Sequence, residues 1–389
     1  MTSTLTSAEQ DLLDAAIQMA PKLAERRAET VRLRRLPDES VEELERAGIT
    51  RMSLPAAFGG PQVSAAAQLD ILAAVAEGCG ATAWVAAVYS VCGHMVCAFG
   101  DQALADFLES DTPRSAGVFS SNAVARAVDG GYHISGKWPF ASGQHHAGWL
   151  ITPAVPEGGE LPIGFLVPKS EFVVKDDWDV TGLIGSGSNT MELTDTFVPA
   201  HRTVAFFDLL DGSYHTAALA DEGYYSQPIL PFMAALSSGP FLGLARSALK
   251  GFQQRIANRA ITYTSYLRQA DAPVTHLQMA EAHMKLDQAM FHAGRLAETA
   301  DLAASGEPVD MMTRARCRAD SAWSLRLSRE VCEIVEQGSG ANAIRAADPL
   351  AGVLRDIRAL SVHSFGLYTT NAEFYGRMLS GLEPDVPFL

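Results

Sequence analysis

The chain has 389 residues, 30 Lys and Arg against 45 Asp and Glu, a formal charge of −15, and is 48% apolar but only 19% charged. That is enough apolar material for a large core, so global disorder is excluded. An acidic chain with no basic block also argues against binding of nucleic-acid backbones or anionic membrane surfaces.

Residues 1–112 read as helix, a first domain. Leu12, Leu13, Ala16, Ile17, Ala20 and Leu23 recur at three-and-four spacing and give one apolar face. Pro37-Asp38 breaks the pattern, and Val41, Leu44 and Ala47 open a short helix that stops at Gly48. Ser64 is placed to cap a helix running through Leu69, Leu72 and Val75. The first 36 residues lack the apolar stretch of a secretory signal. Two uncharged runs, between Glu77 and Asp101 and between Glu222 and Arg246, are long enough to span a bilayer. The polar residues of the first and the three prolines of the second favour buried helices and no membrane.

Residues 113–210 change period, which predicts a second domain. Val118, Tyr132–Ser135, Trp149–Ile151, Ile163–Val167 and Thr190–Val198 are short strand-like runs set apart by Gly130-Gly131, the 156–159 stretch and Pro168. Such spacing predicts a small antiparallel sandwich or barrel. Residues 211–389 return to helix. Four long segments, Leu236–Tyr266, Thr275–Ala304, Asp310–Gly338 and Leu350–Leu379, predict a four-helix bundle. The fold class is therefore α+β: helices, a β-domain, then a bundle.

Several chemistries find no motif. No GxGxxG follows a strand, and Gly185-Ser186-Gly187-Ser188 lacks the lysine of a phosphate loop. There is no HExxH and no GxSxG. His145 and His146 are adjacent and on a strand would face opposite ways; His276 and His283, seven apart, have no third ligand near by. No metal is expected. Cys79, Cys92, Cys97, Cys317 and Cys332 are odd in number, without CxxC spacing, and predict free thiols in a reducing, cytoplasmic setting.

The most specific segment is Gly130-Gly131-Tyr132-His133-Ile134-Ser135-Gly136-Lys137-Trp138-Pro139-Phe140-Ala141-Ser142-Gly143. About forty residues later comes Trp178-Asp179-Val180-Thr181-Gly182-Leu183-Ile184-Gly185-Ser186-Gly187-Ser188, and near the end Arg355-Asp356 is followed by His363-Ser364. With these motifs and the three-zone order, the chain resembles the acyl-CoA dehydrogenase superfamily over about 36–376. Within it, the chain is similar to the oxygenase components of two-component flavin-dependent monooxygenases, which hydroxylate phenols, indoles and polyketides. The resemblance implies an N-terminal helical domain, a central β-domain and a C-terminal bundle that assembles a homotetramer or a dimer. It implies reduced flavin, FMNH2 or FADH2, and O2 as co-substrate through a C4a-hydroperoxyflavin. A separate NAD(P)H:flavin reductase and a small aromatic substrate complete the set of partners.

It also implies site residues. Trp138, Phe140 and Ser142 lie on the segment against the flavin ring, with the Ser142 hydroxyl near N5; alternatively Ser142 satisfies a turn before Gly143. Trp178 and Ser188 match flavin-lining positions, although Trp178 could be a core residue. His363 stands one residue before the place where dehydrogenases carry their catalytic glutamate, here Ser364, and is the expected acid or base. In phenol hydroxylases of this type a histidine follows the tryptophan matched by Trp84 after eight residues; here that position is Cys92, with His94 two further on. Ser120, Ser121 and Asn122 match polar contacts to flavin or substrate. Arg259 matches an arginine that holds flavin phosphate across a subunit interface, with Arg255 as its competitor. Tyr214, His215, Tyr224 and Tyr225, in the 206–232 loop, are placed to meet substrate. Two alternatives stay open: an acyl-CoA dehydrogenase or oxidase with a displaced base, and a flavin-free helical binding protein that kept the fold.

Overall fold

The computed structural model describes residues 5–120, 122–213 and 216–384. Helices come first: α1 (Ser7–Glu25), α2 (Arg27–Leu33), α3 (Asp38–Arg46), α4 (Ala65–Gly78), α5 (Gly80–Val96) and α6 (Asp101–Leu108). A capping box at Thr6 and Glu9 starts α1. Its buried face is Leu12, Ala16, Met19 and Leu23, whereas Ile17 stays 54% exposed, so the apolar stripe is turned slightly from the predicted one. Ser64 caps α4 as expected, its side chain accepting from the Ala67 amide. α5 is buried at every residue except Val88.

The strands follow: β1 (Ser115–Gly117), β2 (Val124–Val128), β3 (Gly131–Trp138), β4 (Trp149–Pro156), β5 (Ile163–Pro168), β6 (Val173–Val174), β7 (Met191–Pro199) and β8 (Thr203–Ala205). The order is β6-β7-β3-β2-β4-β5-β8, with β1 also on β4. Most pairings are antiparallel, but β1 and β2 both run parallel to β4, at its start and its end. The sheet is therefore mixed, because the chain leaves β1, loops through 118–123 and returns as β2 along the same neighbour.

The last region holds a short α7 (Phe206–Asp211), then α8 (Ile229–Ile256), α9 (Pro273–Ala304), α10 (Met311–Ser339), α11 (Pro349–Leu360) and α12 (Tyr368–Leu379). Two departures from the predicted bundle matter. α8 ends at Ile256, so Arg259 lies beyond it. The segment predicted as one helix over 350–379 is two helices with a turn at 361–367, and His363 sits in that turn.

α4 lies between α1 and α8, while α5 lies between α8 and β1 and touches the 184–186 turn. The two uncharged runs prove to be core helices: over their most apolar windows, Gly80–Phe99 and Ile229–Ile256 are each 94% buried in protein. All five cysteines are buried free thiols.

Candidate functional site

The chain after β3 turns sharply at Phe140, a non-glycine residue at φ 65°. Backbone bonds pin this turn to the 186–189 loop: Gly143 N donates to Ser186 O (2.9 Å) and Ala141 N to Asn189 O (3.3 Å). The Tyr89 hydroxyl, from α5, donates to the Gly143 carbonyl at 2.6 Å. Ser142 is thus presented to α5. Its Oγ accepts from Trp84 Nε1 at 3.1 Å and lies 2.7 Å from Ser188 Oγ, which is 2.7 Å from Ser186 Oγ. Three hydroxyls and one indole N–H form a chain in which the indole can only donate. Ser142 is the member nearest the surface, at 9% exposure.

Trp84 also meets the other side. Its ring stands edge-on to the His363 imidazole, centroids 4.8 Å apart. The Phe365 ring stacks on His363 at 5.9 Å, and the Phe365 amide donates to Nδ1 at 3.3 Å. A neutral His363 therefore carries its proton on Nε2. Desolvation lowers its pKa to about 4, so it is neutral at pH 7.

Phe140 is 70% exposed, with the Trp178 ring perpendicular to it at 5.9 Å; Trp178 Nε1 is tied to the Ile184 carbonyl at 3.1 Å. A strained backbone that displays a bare aromatic face costs stability, and such outliers cluster at binding sites.

The structure thus brings together Trp84, Ser142, Ser188 and His363, and beside them Phe140 and Trp178. Other residues singled out from the sequence go elsewhere. Trp138 is 0% exposed, donates to the Pro153 carbonyl and packs on Phe172, so it serves the sheet core and shows no face to a ligand. His94 is 0% exposed; its ring stacks on Phe232 at 4.7 Å and lies 5.2 Å from Tyr224 and Tyr225. Burial pushes its pKa down to about 3. Cys92 points instead at β1, where a Cβ on Gly117 would lie 2.9 Å from its sulfur. The two residues' divergence is the turn of about 200° that two helical positions impose, and His94 packs among Phe232, Tyr224 and Tyr225. Tyr224 and Tyr225 are buried and donate to the Val63 and Ser53 carbonyls, and the Tyr224 hydroxyl also accepts from Gln68 Nε2, so both hydroxyls are tied into the core. Ser120 and Asn122 are exposed on the loop after β1. Ser121, Tyr214 and His215 lie outside the described residues. Arg259 donates to the Ser339 carbonyl, beyond the end of α8 and in contact with none of the residues above, and Arg255 pairs with Asp348 at 2.9 Å.

Ser186 and Tyr89 were not singled out. Ser186 was visible in the Gly-Ser-Gly-Ser run; Tyr89 sits in a uniformly apolar helix and carries no local signal. His145 and His146 lie in a short 3₁₀ turn, bonded to Asn189 and Asp38 at 3.0 Å and 2.9 Å. Among the described residues no group of three side chains could hold a metal ion. A hollow of about 980 Å³ between α1, α8 and α11 is lined by Arg255, the competitor of Arg259, but not by Trp84, Ser142, Ser188 or His363.

Comparison with known proteins decides the family. Models of the acyl-CoA dehydrogenase N-terminal and C-terminal domains match residues 6–108 and 235–366. A Rhodococcus jostii protein, the oxygenase subunit HsaA of a flavin-dependent monooxygenase, is 30% identical over 357 residues, 90% of this chain and 93% of its own. The chain belongs to the acyl-CoA dehydrogenase family, in its flavin-dependent monooxygenase branch. The oxygenase component of an FADH2-dependent resorcinol hydroxylase from a Rhizobium species is 28% identical, covering 92% of this chain and 90% of its own. Among solved structures, XiaF from a Streptomyces species, in complex with FADH2 and glycerol, superposes with a TM-score of 0.93 at 25% identity, covering 98% of both chains. Ser364, beside His363, carries no carboxylate, and the carboxylate of the same segment, Asp356, accepts the Leu183 amide at 2.7 Å.

Proposed function

We propose that the chain is the oxygenase component of a two-component monooxygenase that hydroxylates a small electron-rich aromatic or heteroaromatic compound. The observation that carries the reading is Trp84, whose indole bonds the Ser142 hydroxyl on one side and packs on His363 on the other. The bare Phe140 face and the hydroxyl chain suit a flat polar ring system with a hydrogen-bonding edge, which is what a flavin presents. When bound, reduced flavin activates O2 and supplies the oxygen atom that the substrate receives.

The protein's own part follows from its geometry. Phe140 and Trp178 cover a ring face. Ser142, fixed by Trp84 and Ser188, offers an oriented hydroxyl to the ring edge, preorganised before anything binds. His363 presents an Nε2–H donor toward the side where substrate lies. Its neutral form with Nδ1 occupied is a hydrogen-bond donor, so the imidazole orients and polarises an oxygen rather than abstracting a proton. Cys92, Phe119 and Phe206 give the substrate side an apolar wall, the two rings 6.3 Å apart. The loop holding Ser120 and Asn122 borders that wall in sequence and is the nearest source of polar contacts.

Reduced flavin comes from a separate NAD(P)H:flavin reductase, in keeping with the component naming of the relatives and with the lack of a dinucleotide fingerprint here. FMN and FAD both remain compatible. Arg259, beside Ser339 and Gly340, is the proposed phosphate ligand, reached by flavin from a neighbouring subunit. α9 supports a homotetramer or dimer, because Leu277, Met284 and Phe291 recur every seventh residue and are 73%, 63% and 63% exposed. The division at 112 and 210 and a cytoplasmic setting belong to the same proposal.

The test supplies purified protein with chemically reduced FMN or FAD, isotopically labelled dioxygen and a panel of phenols, indoles and fused heteroaromatics. Labelled hydroxylated product is expected. Flavin oxidation with hydrogen peroxide as the sole product across the panel would defeat the reading.

A further inference from the structure

We propose that Asp356 is a positioning residue that keeps the hydroxyl side and the imidazole side of the flavin site in register. The proposal rests on the flavin-dependent reading above. Asp356 lies on α11, two turns before His363. Its Oδ1 accepts the Leu183 amide at 2.7 Å. Leu183 is a non-glycine residue at φ 51°, a conformation that disfavours a branched side chain and needs an outside hold. From Leu183 the chain enters the 3₁₀ turn Ile184–Ser186, then Gly187 and Ser188, so this one bond sets the origin of the hydroxyl chain that ends at Ser142.

Two glycines let the carboxylate reach both neighbours. At Gly182 a Cβ would lie 2.1 Å from the Arg355 carbonyl oxygen, so only glycine lets the loop seat on α11. At Gly80 a Cβ would lie 3.1 Å from Asp356 Oδ2, so α5 begins directly against the same carboxylate. Gly80 is one turn before Trp84. Three elements therefore meet at Asp356, and each delivers one member of the site: the 182–188 loop brings Ser188, α5 brings Trp84 and α11 leads to His363. Arg27, Cys79 and Arg355 line the same small hollow of about 50 Å³. No atom of Asp356 needs to touch flavin or substrate; it acts through the backbone it holds.

Three variants separate position from charge and from bulk stability. Asp356→Asn keeps an acceptor oxygen in place, Asp356→Glu keeps the charge but moves the acceptor by one methylene, and Asp356→Ala removes it. Hydrogen exchange of the 182–188 amides is followed in the flavin-free protein. Reduced-flavin affinity and the share of turnovers released as hydrogen peroxide are followed in the loaded enzyme, all well below the melting temperature. Asp356→Ala and Asp356→Glu should exchange about tenfold faster in this loop and leak peroxide severalfold more, while Asp356→Asn stays close to wild type. Wild-type exchange and leak in Asp356→Glu would overturn the proposal, and this variant decides the matter if Asp356→Ala does not fold. If the wild-type protein hydroxylates nothing, the parent reading falls, and the exchange data still report whether Asp356 holds the loop.

Discussion

His363 shows how a residue's neighbours choose its chemistry. The imidazole is ordinarily a switch near neutrality, but here the Phe365 amide occupies Nδ1 and desolvation keeps the ring uncharged down to about pH 4. Its activity should therefore show no titration of this group between about pH 6 and pH 9, in contrast to an exposed histidine. His363→Ala should lower the hydroxylation rate by about 10²-fold or more while reduced-flavin affinity holds. His363→Gln, whose amide can place an N–H near the Nε2 position, should recover part of that loss. Equal rates in all three proteins would remove His363 from the site. Ser142→Ala tests the opposite edge. It leaves Trp84 Nε1–H without its acceptor in a buried place, so it should lower stability by about 1–3 kcal/mol as well as weaken flavin binding. A melting curve and a flavin titration read the two effects separately.

At the level of elements, what the sequence could and could not show follows from period. The long helices and the strands Tyr132–Ser135, Trp149–Ile151 and Ile163–Val167 were legible because apolar residues repeat at their own spacing. β6 and β8 were not, because two or three residues carry no period. The parallel run of β1 and β2 on β4 was equally hidden, since strand direction is set by the connecting loop and leaves no mark in alternation. The turn at 361–367 was read as helix because its composition continues that of α11. Gly366 betrays it only in the structure, where a Cβ would lie 2.2 Å from Leu325 Cδ2 and 2.7 Å from the Leu360 carbonyl. Site residues followed the same logic. Ser142 and Ser188 lie in motifs, whereas Trp138 shares a motif yet faces the sheet core, because it is the last residue of β3 and the chain turns at Phe140 before it reaches Ser142. The seat of the 182–188 loop gives an element-scale prediction: Gly182→Ala should separate the loop from α11, raising protease sensitivity near 182–188 and abolishing product with little loss of helical circular dichroism. Unchanged product formation would show that the loop tolerates the shift.

Across the whole molecule, the two most strongly depressed of four histidines shape the response to acid. His94 and His363 have folded pKa values of about 3 and 4 against an ordinary 6.5. Each contributes stability that is complete above pH 6.5 and is lost as pH falls toward 4, because only the unfolded chain takes up the proton. Asp356 works in the other direction. Its pKa rises from 3.8 to about 6 by desolvation, so its ionisation opposes folding as pH climbs through 6. The two large histidine shifts, joined by the lowered His145 and His146, outweigh the raised Asp356, Asp70 and Asp301, so the melting temperature should drop between pH 6.5 and pH 4. His94→Phe, which removes one of the two without emptying its place among Phe232, Tyr224 and Tyr225, should flatten that slope. An unchanged slope would show that His94 titrates normally. The same scale accommodates the stripe on α9. Phe291→Glu with Leu277→Glu should lower the mass found by light scattering if that face joins subunits.

One consequence concerns how such a catalyst could change its diet. α5 supplies Trp84 and Cys92, yet it is packed on all sides, and every residue but Val88 is out of solvent. Any swap there disturbs the close-packed centre before it alters what the enzyme accepts. New substrates should therefore be admitted more readily by change after β1, where Ser120 and Asn122 are exposed, while the helix beneath stays the same.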